Sequence, residues 1–195
     1  MKPPARKLAA LILQVISVSV FSVLATSATA QTRDHLTDAE TDLVRYWQEI
    51  DKRTDVFIKA ADRRFAIING AKPSPIKKID KEEPDWGEMP KGTRAQLLGD
   101  IAGILDEAIT NIDNSAGRDP KNPLLSRALK KINNAANGYA TQLNALKTKT
   151  TDADELAALE RINDEVKEII QASGHLPSGA VEDDPSNKKD KKKKP

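Results

Sequence analysis

The longest helical pattern in this sequence is TDAETDLVRYWQEIDKRTDVFIKAADRRFAIIN, which covers residues 37–69. At helical spacing its inward side forms one continuous, mainly apolar stripe, and charged residues occupy the opposite side. The stripe consists of Leu43, Trp47, Ile50, Thr54, Phe57, Ala61, Phe65 and Ile68. A helix of this length would extend about 50 Å. Because it cannot bury the stripe alone, other helices must pack against it.

Local signals mark both ends of this pattern. Thr37 and Glu40 match a capping box, in which each side chain bonds the other residue's backbone N–H. Gly70 suits the left-handed residue that ends many helices. The segment 36–40 is also similar to the Leu-Thr-x-x-Gln signature of small exported helical stress chaperones, with glutamate in place of glutamine. The capping box accounts for the same residues, and we assign no family.

Three further amphipathic helices are predicted after a Pro-rich loop at residues 71–92. The second begins at another capping box, Thr93 to Gln96, and the third begins at Asn122 and Pro123. Thr151 or Asp152 caps the fourth. The connections near 116–122 and 148–151 are short, which favours antiparallel neighbours. The predicted fold is therefore all-α, an antiparallel four-helix bundle with a long first helix.

The first thirty residues read as a secretory signal peptide. A basic start is followed by an apolar run over residues 8–24 and by Ala28-Thr29-Ala30, which predicts export with cleavage after Ala30. After cleavage, the exported protein would be periplasmic or secreted. It would have a helical domain at 31–177 and a charged, disordered tail at 178–195. An uncleaved membrane anchor is the alternative, but the apolar run is short for one.

The charge distribution argues against nucleic-acid binding. Removing residues 1–30 removes three of the 31 basic residues and none of the 29 acids, which leaves 28 against 29. No predicted helix carries the basic stripe that nucleic acid requires. Basic charge is concentrated in the tail, at Lys188, Lys189, Lys191, Lys192, Lys193 and Lys194. This tail predicts at most weak contact with an anionic surface, and solubilising disorder is the alternative.

The sequence contains no recognisable catalytic, cofactor or metal site. Cysteine is absent, and the two histidines, His35 and His175, lie outside any helical metal-binding pattern. Every Asp and Glu falls on a polar helix face or in a loop, so we expect all of them to be solvated. Acid–base catalysis needs carboxylates with perturbed pKa values in a pocket. We therefore predict no enzymatic activity and no bound cofactor or metal.

Two features are candidate partner contacts. Gly99 and Gly103 lie four residues apart on the outer side of the second helix, where close backbone approach would explain both glycines. Val56, Ala60 and Ile67 form an apolar seam beside the main stripe. This seam is either covered by Trp86 and its neighbours in the returning loop or left open as a partner groove.

These observations favour a non-catalytic exported interaction module that binds another protein, a second copy of itself or the cell surface. The alternative is a small-molecule or cofactor carrier, which would use a cavity between the helices. The sequence does not identify the partner or the ligand.

Overall fold

A computed structural model of the chain describes residues 34–71 and 85–173. The regular structure in these two ranges is five helices and no strand, which confirms the predicted all-α class. The helices are α1 (Asp38–Tyr46), α2 (Ile50–Ile68), α3 (Arg94–Arg118), α4 (Leu124–Lys147) and α5 (Ala153–Ser173). The predicted signal segment, residues 72–84 of the Pro-rich loop and the Lys-rich tail lie outside the described residues.

The predicted helix boundaries are confirmed where capping chemistry set them. Thr37 and Glu40 form the expected capping box before α1, and Thr93 and Gln96 form the second before α3. Asp152 accepts the Glu155 N–H at 2.9 Å at the start of α5. These caps depend only on neighbouring residues, which is why sequence alone locates them.

The single long helix predicted for residues 37–69 is instead two helices, α1 and α2. The chain is extended at Trp47 (ψ 114°) and Glu49 (ψ 125°), and α1 folds back along α2. A continuous helix would place Glu40 about 35 Å from Arg63. In the folded chain the Glu40 carboxylate and the Arg63 guanidinium are 2.7 Å apart. The break therefore allows α1 to reach partners that lie 23 residues along the chain.

The main helices pack side by side in a bundle-like core. α2 and α5 each pack against both α3 and α4, whereas α1 packs against α2 alone among the helices. α3 and α4 meet at few points and lie across the core from each other. The short connection between them was predicted to join antiparallel neighbours, but it joins helices on opposite sides of the core.

Side-chain pairs give the helix directions. Asp51 near the start of α2 pairs with Arg127 near the start of α4. Further along both helices, the Tyr139 hydroxyl donates to Asp62 at 2.9 Å, so α2 and α4 run in parallel. Arg94 at the start of α3 donates to the Ile68 carbonyl at the end of α2 at 3.1 Å. α2 and α3 are therefore antiparallel.

The core is built from the predicted apolar faces. The largest fully buried apolar side chains are Phe57, Leu98, Ile101, Ile104, Leu105, Ile132, Leu143, Leu159, Ile162 and Val166. Leu156 and Ile170 lie at helical spacing from the buried residues Leu159 and Val166 of α5, yet they are 37% and 36% exposed. The helical periodicity thus locates the core of α2 to α5 with few exceptions.

Candidate functional site

A buried cluster of charged side chains joins α1, α2 and α3. We define the Glu40 cluster as Glu40, Arg63, Arg64 and Asp100, which are all 5% exposed or less. Charged residues are almost never this buried unless they are paired. The prediction that every acid is solvated is therefore wrong for Glu40 and Asp100.

The Glu40 carboxylate accepts four hydrogen bonds. Its Oε1 accepts from Arg63 Nη1 at 2.7 Å and from Arg64 Nη1 at 3.0 Å. Its Oε2 accepts from Arg64 Nη2 at 2.9 Å and from the Thr37 N–H at 2.9 Å. The contact with Arg64 is bidentate, which is the strong geometry for a guanidinium and a carboxylate. These donors satisfy both oxygens, so Glu40 holds the start of α1 against α2.

Arg64 also fixes the chain that leads into α1. Its Nη2 donates to the His35 carbonyl at 2.6 Å, and its Nη1 donates to the Ala60 carbonyl at 2.7 Å. Its Nε lies 3.7 Å from Asp100 on α3, which is an ion-pair distance and too long for a hydrogen bond. One guanidinium thus links the leading residues, α2 and α3.

Arg63 ties the returning end of the Pro-rich loop to the cluster. Its Nη2 donates to the Glu88 carbonyl and, at 3.4 Å, to the Gly87 carbonyl. The guanidinium also lies 5.7 Å from the centre of the Trp86 ring, within cation–π range. Burial lowers the pKa of Arg63 below its ordinary value, and the nearby Glu40 carboxylate opposes that shift.

Gly87 allows the loop to approach α1 closely. Its φ is +61°, a left-handed conformation that favours glycine, and a Cβ there would lie 2.7 Å from the Ala39 Cβ. A side chain at this position would therefore push α1 away from the loop, which makes the glycine part of the α1 contact.

His35 lies beside the cluster and contacts α3. Its Nε2 is 2.8 Å from Glu107 Oε2, and both side chains are about one-third exposed. This hydrogen bond raises the pKa of His35 above its ordinary value, and burial opposes the shift. A Cβ on Gly103 would lie 2.9 Å from His35 Cγ, so that glycine provides the space for the ring.

The two glycines singled out from the sequence have different environments. Gly103 packs against the His35 ring, whereas a Cβ on Gly99 would meet nothing within 4 Å among the described residues. Gly103 is therefore a site of close approach, and the side chain that approaches it is His35 of the same chain.

The matched substitutions Gly99→Ala and Gly103→Ala should have different effects. Gly99→Ala should raise the free energy of unfolding by about 0.5–1 kcal/mol, since alanine is the better helix former and has space. Gly103→Ala should displace His35, losing that gain and moving the His35 pKa down toward its ordinary value. Chemical denaturation and NMR titration of His35 measure the two effects. Equal stabilisation by both substitutions, with the His35 pKa unchanged, would contradict the described packing.

The apolar seam is largely covered by the chain itself. Val56 and Ala60 are 2% and 0% exposed, and Trp86 packs against Val56 and Leu43 in a small second core. Ile67 is half-buried against the main core. The position of Trp86 supports the interpretation in which the returning loop covers the seam. Ile76 and Ile79 of that loop and the six tail lysines lie outside the described residues.

A second buried acid joins α2 to α4. Asp51 is 2% exposed, and its Oδ2 lies 3.3 Å from Arg127 Nη1 and 3.7 Å from Lys131 Nζ. Lys131 also pairs with Asp55 at 2.6 Å. The predicted solvation of acids is wrong here too. Asp51 lies on the polar side of its own helix, but that side faces basic residues of a neighbouring helix.

An aromatic corner protrudes where α1 ends. We define the Tyr46 corner as residues 45–48, Arg-Tyr-Trp-Gln. Tyr46 is 70% exposed, and its ring makes an edge contact with Trp47 at 5.0 Å between centres. Gln48 and Arg53 line an open surface recess of about 280 Å³ next to this corner. Trp47 is half-buried against the second core and supports the exposed Tyr46 ring. Tyr, Trp and Arg are the residue types that contribute most to protein–protein binding energies.

An open recess of about 420 Å³ lies between α2 and α4 and is lined by residues including Ile58, Asp62 and Tyr139. An apolar cavity of about 30 Å³ lies among α3, α4 and α5, lined by residues including Ile112, Leu129 and Ile169. Ligand pockets in proteins are roughly 300–1,000 Å³. This cavity is closer to the volume of one water molecule.

Within 34–71 and 85–173, no three His, Cys, Asp or Glu side chains are grouped so that they could hold a metal ion. None of the five described helices has the length and apolar composition needed to cross a membrane.

Comparisons with protein-family models, with curated proteins and with solved structures found no match for this chain.

Proposed function

We propose that this protein is an exported, non-catalytic interaction module. In this proposal residues 1–30 are a signal peptide cleaved after Ala30, and α2 to α5 form a four-helix bundle to which α1 is attached. The lysine-rich tail adds weak contact with anionic surfaces. The binding partner is a protein, and nucleic acid is not a partner.

The observation that carries the proposal is the exposed Tyr46 corner. Tyr46 is the most exposed of the large hydrophobic residues in the described ranges, and it lies next to Trp47 and Arg45. An exposed tyrosine held by a half-buried tryptophan, with an exposed arginine beside it, costs solubility in an isolated domain and stabilises a complex when a partner covers it. By contrast, the buried side chains of the Glu40 cluster form ion pairs with one another.

Photo-crosslinking tests the proposal. A benzophenone amino acid at position 46 keeps an aromatic group there, and the same amino acid at Lys149 is the control. Lys149 follows α4 at the opposite end of the bundle and is also exposed. In cells that export the protein, we expect a discrete crosslinked species from position 46 and none from position 149. If position 46 gives no crosslinked species above the level of the position 149 control, the proposed function is overturned.

A further inference from the structure

The chain contains two Asn-Gly pairs, Asn69–Gly70 and Asn137–Gly138. In such a pair the glycine backbone nitrogen can attack the carbonyl carbon of the asparagine side chain, because glycine has no Cβ to block the approach. The new N–Cγ bond closes a succinimide ring, the Cγ–Nδ2 bond breaks, and the glycine N–H proton leaves with ammonia. Water then opens the ring at either carbonyl, which gives aspartate or isoaspartate.

The surroundings of the two pairs are alike. All four residues are exposed, and a Cβ on either glycine would meet nothing within 4 Å among the described residues. Each asparagine amide donates a hydrogen bond at the surface. Asn69 Nδ2 donates to Gln142 Oε1 at 3.3 Å. Asn137 Nδ2 donates to the Asn133 carbonyl at 2.8 Å. Access to water and to the glycine nitrogen is therefore similar at the two pairs.

The backbone around the two pairs is different. Asn69 is the C-cap of α2 with ψ 7°, and Gly70 follows it with φ +86°. Asn137 lies inside α4, which runs from Leu124 to Lys147. The attack requires the asparagine ψ to rotate until the glycine nitrogen reaches the side-chain carbonyl. Both pairs must therefore leave their folded conformation to react, and the free energy of that opening controls the rate.

Opening at Asn69 involves only the end of α2. The Gly70 N–H donates to the Ile67 carbonyl at 2.9 Å, and the Ala71 N–H donates to the Ala66 carbonyl at 2.8 Å. Rotation about the Asn69 ψ breaks these two bonds and leaves the rest of α2 in place. Helix ends fray at a small cost in free energy. The reactive conformation is therefore readily reached at this pair.

Opening at Asn137 would interrupt α4 in its interior. The part of α4 that follows, residues 138–147, includes the buried side chains of Tyr139, Leu143 and Leu146. These three side chains belong to the main core, so opening of the helix here would detach them. Opening of packed core helices approaches the free energy of global unfolding. The folded chain therefore protects Asn137.

We propose that Asn69 is a site of spontaneous modification, at which the folded protein converts the Asn69–Gly70 pair to isoaspartate and aspartate while Asn137 is preserved. Water is the only co-reactant. We expect conversion at Asn69 to be at least about tenfold faster than at Asn137 in the folded chain. This inference goes beyond the proposed interaction function and does not depend on it.

Conversion changes the end of α2 in two ways. The new carboxylate lies at the helix C-terminus, whose partial negative charge disfavours it. Isoaspartate also adds a methylene group to the backbone, which alters the geometry of the Gly70 and Ala71 bonds to the last turn. The neighbouring Ile68 carbonyl accepts from Arg94 at 3.1 Å, so the modified end lies beside a contact between α2 and α3.

Peptide mapping by mass spectrometry tests the proposal on the full chain. The protein is incubated at mildly alkaline pH in water enriched in heavy oxygen, so each conversion leaves one heavy oxygen atom in the product. Chromatography separates the isoaspartyl and aspartyl peptides. The same incubation in urea is the control, because both pairs have the same two residues and should convert at comparable rates once unfolded.

The variant Asn69→Gln is the second control. It keeps an exposed amide, but its longer side chain closes a larger ring more slowly, so the product at position 69 should be lost. The expected result is faster conversion at Asn69 than at Asn137 in the folded chain and comparable rates in urea. A folded-state rate at Asn69 no faster than that at Asn137, with both pairs reactive in urea, would overturn the proposal. The crosslinking experiment at Tyr46 tests the proposed function separately.

Discussion

Replacing Glu40 with alanine should lower the free energy of unfolding by about 3–5 kcal/mol. The substitution leaves two guanidiniums, of Arg63 and Arg64, buried without the carboxylate that they share. It also removes the Thr37 N–H acceptor of the capping box, which contributes up to about 1 kcal/mol. A domain of this size is commonly stable by only about 5–15 kcal/mol. We therefore expect the Glu40→Ala variant to lose a large part of its free energy of unfolding.

Urea denaturation followed by circular dichroism measures this loss, and Asp42→Ala is the matched control. Asp42 lies on the same helix and is also an acid, but its side chain is 77% exposed. We expect the control to change stability by less than about 0.5 kcal/mol, as exposed ion pairs usually do. A loss below about 1 kcal/mol for Glu40→Ala would show that the Glu40 cluster is not buried in the way described.

Replacing Arg64 with methionine should cost about 3 kcal/mol or more. Methionine fills much of the space, but Glu40 keeps only Arg63 as a charged donor, and the carbonyl of His35 loses its donor. Arg64→Lys should cost less than methionine and still be destabilising, because lysine keeps the charge but cannot make the bidentate contact.

The control for this series is Arg45→Met, since the Arg45 side chain is 75% exposed and its removal should have little effect. The double variant Glu40→Ala/Arg64→Met should cost clearly less than the sum of the two single variants, because each removes the partner of the other. Additive losses in this double-mutant cycle would mean that the two residues act independently. Both measurements use the same urea denaturation.

The helix ends and most of the core could be predicted from the sequence because they depend on local chemistry. Capping boxes at Thr37 and Thr93 involve residues three positions apart, and apolar periodicity reports which side of a helix is buried. Patterns among neighbouring residues do not predict the break at 47–49. Residues 47–49 include no helix-breaking residue, and the cause is a pairing between Glu40 and two arginines far along the chain.

The Glu40 cluster was missed although one signal for it was present. The apolar seam consists of Val56, Ala60 and Ile67. Arg63 and Arg64 lie between Ala60 and Ile67 along that seam. Arginines within an apolar seam indicate that an acid will be buried against them. Glu40 was not recognised as that acid because its role in the capping box already accounted for it.

The parallel arrangement of α2 and α4 has an electrostatic consequence for Asp51. Each helix carries a macrodipole whose positive pole lies at its N-terminus, equivalent to about half an elementary charge. Parallel neighbours bring two positive poles together at one end of the molecule, where Arg127 and Lys131 add further positive charge. Asp51 lies in the first turn of α2 at that same end. Its carboxylate therefore offsets the positive poles of α2 and α4, together with the C-terminus of α3, which lies at the same end because α3 runs antiparallel to α2.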